Sequence, residues 1–183
     1  TRSHKAHTGL RTRAAAWAGA IGAALLLSAC GDGGNDPLLR KTHLGDIRGA
    51  VDMGSATYSW KGVPYAKAPV GALRWQPPQE PEAWNTARTT TAFANACAQY
   101  GRIYGPGSNN RHDETIATTL NQAVGSEDCL YLNVWRPANN DSNLPVIVFL
   151  HGGSNVSGYT ADPVYDGANL ARTANAIVVT PNF

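Results

Sequence analysis

The sequence predicts an α/β architecture in which a small antiparallel meander leads into a mostly parallel central sheet, and three stretches carry that expectation. Val146-Ile147-Val148-Phe149-Leu150 is a run of five large apolar residues, the pattern of a strand buried on both faces. Ala176-Ile177-Val178-Val179-Thr180 reads as a second buried strand. Between them, Asp166 to Ala174 reads as a helix with Asp166 as its cap and Leu170 turned inward. Strand, helix, strand is the βαβ layout that implies a parallel sheet, and it sets the segment after Leu150 at a strand's carboxyl end, where open α/β folds bind ligands.

Composition bounds the rest. A chain of 183 residues with 43% apolar and 15% charged residues can bury a core, as one domain or as a piece of a larger one. The formal charge of +2 is misleading, because Arg2, Lys5, Arg11 and Arg13 lie in the first 29 residues, which contain no acid. The remaining 11 basic and 13 acidic side chains leave no basic footprint for nucleic acid.

Ala14 to Leu27 is free of charge, follows those four cations and precedes small residues, the layout of an export signal. It is too short for a comfortable membrane span. Leu27-Ser28-Ala29-Cys30 resembles the bacterial lipobox, whose Cys becomes the lipidated first residue of the mature protein. The alternative is an ordinary secretory signal in which Cys30 is incidental. The expected plan is a signal over 1–29, a flexible tether over 30–40 and a domain over 41–183. The protein is then exported and held to the bacterial cell envelope through a lipid anchor at Cys30. Thr1 is not Met, and Phe183 closes an apolar run, so both ends read as cut.

In order along the chain, Lys41 to Lys61 reads as short strands broken by turns at Gly45, Gly49 and Gly54. Gly62 to Pro78 is too rich in Pro and Gly for regular structure, and Trp60, Tyr65, Trp75 and Trp84 mark it as an ordered loop packed over a core. Gly105 to Asn110 reads as a mobile surface tip, followed by a short helix near Glu114 to Val124. Leu130 to Trp135 is a strand ended by Arg136-Pro137, and the polar turn Asn139 to Asn143 joins it to the strand at Val146. The short link predicts that these two strands pair antiparallel. If Cys30 is acylated, Cys97 and Cys129 remain as an even pair. They are read as a disulfide worth about 3–4 kcal/mol or as two buried thiols. No CxxC or HxxxH spacing accompanies them, so metal ligation is not expected.

His151-Gly152-Gly153-Ser154, running on to Gly158, is either a tight turn or an anion-binding loop whose free amides approach a ligand closely. Four blocks decide how it is read. Gly62-Val63-Pro64-Tyr65-Ala66, Gly71-Ala72-Leu73-Arg74-Trp75, Ser126-Glu127-Asp128-Cys129-Leu130-Tyr131-Leu132-Asn133-Val134 and His151-Gly152-Gly153 stand in the order and spacing of the type B carboxylesterases. The resemblance covers about Gly45 to Phe183.

This resemblance implies the amino-terminal portion of an α/β-hydrolase fold, hydrolysis of a small carboxylic ester through a serine acyl-enzyme, and no cofactor. It implies that Cys97 and Cys129 form the family's first disulfide and that Arg74 and Glu127 form a structural ion pair. Gly153 and Ser154 would supply oxyanion-hole amides, with His151 and Gly152 supporting the loop. Ser154 stands where the family has a third glycine, so the hole is expected to work in a slightly reshaped form. The family's nucleophile needs a Gly-x-Ser-x-Gly elbow followed by an acid and a His. No such elbow occurs in the 183 residues, so no triad is assigned within them and the chain alone is expected to be inactive. It is also expected to fold poorly, with the strands at Val146–Leu150 and Ile177–Thr180 short of sheet neighbours. Between Cys97 and Cys129 there are Tyr100 and Tyr104 but no Trp, which favours an apolar acyl or alkyl ester over a choline ester. The alternatives are a non-catalytic cell-surface binding protein on the same fold, or an inactive gene remnant.

Overall fold

A computed structural model describes residues 36–183. The expected signal segment, Cys30 and the first residues of the tether lie outside the described residues. Asp36, within the expected tether, is held to the strands that follow it. The Asp36 carboxylate accepts from Leu38 N–H at 2.9 Å and pairs with Arg48 at 2.5 Å, and those two contacts hold its pKa below the usual carboxylate range.

The meander is divided between two sheets. Strands β1 (Leu39–Lys41) and β2 (Asp46–Arg48) pair antiparallel, and β5 (Arg88–Thr89) adds to β2 in parallel. Strands β3 (Ala50–Asp52) and β4 (Thr57–Pro64) open the larger sheet. That sheet continues through β8 (Tyr131–Pro137) and β10 (Ile177–Pro181) to β9 (Val146–Val148), in the order β3-β4-β8-β10-β9. Its first three pairings are antiparallel and only β10 with β9 is parallel. The parallel character expected of the sheet is therefore confined to its last pair among the described residues. The βαβ unit is present as read: β9, helix α1 (Ala168–Ala174), then β10, with Val178 opposite Ile147.

Two expectations about this unit are corrected. Strands β8 and β9 do not pair, because β10 lies between them and uses an edge of each. The eight residues from 138 to 145 easily span the roughly 10 Å of two strand spacings. Strand β10 accordingly has both neighbours, and of these two strands it is β9 that lies at the sheet edge among the described residues. Nor is β9 buried on both faces: Val146, Val148 and Leu150 are 58%, 61% and 63% exposed. An apolar run alone cannot tell a central strand from one whose outer neighbour is not supplied.

Burial in β8 and β10 alternates with the pleat, bringing Asn133, Trp135, Val178 and Thr180 to one face. Trp135 lies opposite Val178, and helix α1 covers both with Ala168 and Ala171. Leu170 points outward instead, because the short inward stripe of the helix is alanine. Asp166 does cap, its carboxylate accepting from Ala168 N–H at 2.8 Å. The polar half of the buried face is a hydrogen-bonded network. Asn133 Oδ1 accepts from Gly62 N–H at 3.0 Å, where a register shift in β4 removes the ladder partner. Asn133 Nδ2 donates to the hydroxyls of Thr160 and Thr180 at 2.9 and 3.2 Å.

Between the cysteines the structure has turns in place of a helix at 114–122, framed by the short strands β6 (Gln99–Tyr100) and β7 (Ala123–Val124). The Gly105 tip is not a mobile surface feature: Pro106 is fully buried and its carbonyl accepts from Thr119 Oγ1 at 3.0 Å. Trp60, within β4, is buried, whereas Trp75 in the Pro-rich loop is 93% exposed and does not pack over the core.

Candidate active site

At the carboxyl end of β9, Phe149 N–H donates to Val179 O at 2.9 Å, extending the parallel pairing by one residue. The chain then turns away. His151 is 8% exposed, and its ring stacks on Phe183 with centroids 4.5 Å apart. Its Nδ1 lies 3.0 Å from Gly152 O. A carbonyl only accepts, so the ring proton sits on Nδ1. Nε2 is buried without a partner among the described residues. Held in this way, His151 packs against Phe183 at the start of the loop with its Nε2 buried.

Gly153 has φ +134°, a backbone conformation that strongly favours glycine, and a Cβ there would strike the Ser157 carbonyl. Its carbonyl accepts from Val156 and Ser157 N–H at 3.1 and 3.2 Å. The turn so closed has Ser154 and Asn155 at its centre, with φ of 57° and 56°. Both central residues at positive φ is the geometry of a mirror-image turn. Ser tolerates this left-handed region at a modest cost, which is how the loop accommodates the residue that departs from glycine. The N–H groups of Gly153 and Ser154 find no acceptor among the described residues, and both residues are exposed. Two adjacent free donors on a turn can stabilise an anion.

The return leg is fixed at three successive residues. Gly158, with φ +128°, lies against His151 and Gly152, where a Cβ would collide with the imidazole. Its N–H donates to Gln99 Oε1 at 2.9 Å and its carbonyl accepts from Gln99 Nε2 at 2.8 Å. Tyr159 is buried, with its hydroxyl 2.9 Å from His112 Nδ1. Burial, and then the charges of Asp162 and Asp113, push its pKa well above the usual phenol range. Thr160 donates through both N–H and hydroxyl to Asn182 Oδ1, at 2.8 and 2.9 Å.

Gly152 and Gly153 open on a cleft of about 690 Å³ whose other side carries Tyr100, Ile103, Tyr104 and Leu120 from the segment between the cysteines. Those four side chains are substantially exposed, so the cleft that Gly153 lines has an apolar and aromatic wall. Cys97 and Cys129 are joined by a disulfide. Arg74 Nε pairs with Glu127 Oε1 at a half-exposed site remote from the cleft lining. Such a pair contributes about 0–1 kcal/mol.

Among the described residues no histidine holds a serine, threonine or cysteine. His43 faces Glu80, His112 faces Tyr159 and His151 faces Gly152 O. A nucleophile with its base is therefore not assembled by these residues. Sequence reading passed over Gln99, Asn182 and Thr160, which fix the loop. Asn133 stands inside one of the four motif blocks, and a polar residue at an inward position of an apolar strand was the available signal for it.

Residues 36–183 match the model of the carboxylesterase family. The chain is 38% identical over 142 residues to para-nitrobenzyl esterase of Bacillus subtilis (strain 168), covering 78% of this chain and 26% of that protein. It is 37% identical over 175 residues to pyrethroid hydrolase Ces2e of Rattus norvegicus, covering 91% and 30% respectively. A solved structure of PNB esterase superposes with a TM-score of 0.67 at 36% identity, over 79% of this chain and 27% of that one. The chain thus spans between a quarter and a third of the length of these relatives.

Proposed function

Because the chain belongs to the carboxylesterase family, we propose that it is the amino-terminal part of an enzyme that hydrolyses carboxylic esters through a serine acyl-enzyme. The N–H groups of Gly153 and Ser154 serve as oxyanion donors. The observation that carries this reading is the pair of free, adjacent amides on the turn after β9, whose Gly153 lines a cleft with an apolar and aromatic wall. As the serine oxygen attacks the ester carbonyl, negative charge gathers on the carbonyl oxygen, and donors already in place stabilise it without reorganisation. The nucleophile, acid and base come from chain beyond Phe183, which also covers the exposed loop and dries it. The aromatic and aliphatic wall of the cleft supports esters with an apolar acyl or alcohol part.

The test is the full-length protein with p-nitrophenyl butyrate. Turnover is expected, together with its loss on replacing the serine of a Gly-x-Ser-x-Gly elbow by Ala, and with no turnover by the 183-residue chain alone. Full activity in the serine variant would reject the mechanism.

In the same reading the protein is held on the bacterial envelope through a lipid on Cys30, supported by the lipobox-like Leu27-Ser28-Ala29-Cys30. A palmitate analogue is expected to label the wild type and not Cys30→Ser. Label retained in the variant would remove the anchor.

A further inference from the structure

We propose that Gln99 is a positioning residue for the oxyanion loop, a clamp through which the disulfide-closed segment holds Gly153 and Ser154 in place. The catalytic part of this inference rests on the function proposed above.

The Gln99 side chain uses both of its amide donors and its carbonyl oxygen. Nε2 donates one hydrogen to Cys97 O at 3.0 Å and the other to Gly158 O at 2.8 Å. Oε1 accepts from Gly158 N–H at 2.9 Å. Flipping the amide would set NH₂ against N–H and oxygen against two carbonyls, so only one orientation satisfies the site. The side chain does for Gly158 what a neighbouring strand would do, reading both its donor and its acceptor.

Gly158 is in turn wedged on its other side. Its α-carbon lies so close to His151 and Gly152 O that no side chain fits. A shift of Gly158 away from Gln99 therefore changes the support beneath His151-Gly152, the two residues that lead into Gly153. Gln99 itself is anchored two residues from Cys97, with its backbone paired to Val124 in β7. The line of contact runs from disulfide to Gln99, to Gly158, to the loop.

Such a residue touches no substrate, so its loss should appear in the rate of the chemical step rather than in binding. In the full-length enzyme, Gln99→Ala is expected to lower kcat by about 10- to 100-fold with KM changed less than about threefold, since small displacements of oriented groups cost rates of that order. Gln99→Glu gives a signature that a merely structural role would not. Its carboxylate can accept from Gly158 N–H but opposes two carbonyl oxygens, whereas its protonated form can donate to Gly158 O. Its rate relative to wild type is expected to rise by about threefold or more as pH falls from about 8 to about 6, burial and the two carbonyls having raised that carboxyl's pKa.

An activity-independent readout accompanies these. Hydrogen exchange at the Gly158 amide is expected to accelerate by about tenfold or more in Gln99→Ala. Unchanged kcat together with unchanged exchange would overturn the proposal. A wild type that hydrolyses no ester would sink the proposed function instead, and the exchange comparison would then decide the positioning role by itself.

Discussion

Gly153→Ala is expected to lower kcat/KM of the full-length enzyme by about 100- to 1000-fold, the loss that removal of one oxyanion donor brings. At φ +134° the new methyl meets the Ser157 carbonyl, which belongs to the residue whose N–H closes the turn on Gly153 O. The backbone relieves the clash only by leaving this region of φ. That rotates the peptide plane between Gly153 and Ser154, and with it the Ser154 N–H. Both donors come from this one dipeptide, so a single methyl disturbs both. The fold should survive, because the turn is exposed and the buried polar network begins only at Thr160. Initial rates with p-nitrophenyl butyrate, beside circular dichroism spectra that match wild type, measure this. A variant within about threefold of wild type would mean that these amides do not serve the transition state.

Loss of the Cys97–Cys129 bond is the second large effect. The cysteines are 32 residues apart, and closing a loop of that length constrains the unfolded chain by about 3–4 kcal/mol. In the full-length protein, at the length of the relatives it matches and so about three times this chain, each kcal/mol moves the melting temperature by about 1 °C. Cys97→Ser with Cys129→Ser in that protein is therefore expected to melt about 3–4 °C lower. The segment so released has regular pairing only in the two-residue strands β6 and β7 and is otherwise held by turns and their hydrogen bonds. Calorimetry of the double variant and the wild type decides the matter, and a shift under about 2 °C would show that the bond contributes little.

What could be read from the sequence was what periodicity, spacing and motif order encode. The βαβ unit followed from two apolar runs around a capped helix, and the four motif blocks placed the glycine loop at the end of β9. What failed depended on neighbours distant in sequence. The partner of β8 is decided by where α1 delivers β10, which a short link cannot reveal. The exposure of Val146, Val148 and Leu150 depends on what lies beyond β9. The helix expected at 114–124 lost to local turns, with Ala117 and Asn121 at positive φ and Asp113 capping Thr115 N–H and its hydroxyl. Gln99 gave no signal because its role is to pair with a backbone 59 residues away.

The place of β10 between β8 and β9 also orders events in time. A hairpin between β8 and β9 needs only an eight-residue link, and hairpins close in about 1–10 μs. The native neighbour of β8 on that side, β10, arrives after about forty residues and a helix, at a higher entropy of closure. The pairing that local proximity suggests to a reader is thus also the one most cheaply offered to the folding chain. Reaching the native order requires that this gap stay open, or be reopened, until α1 has turned the chain back.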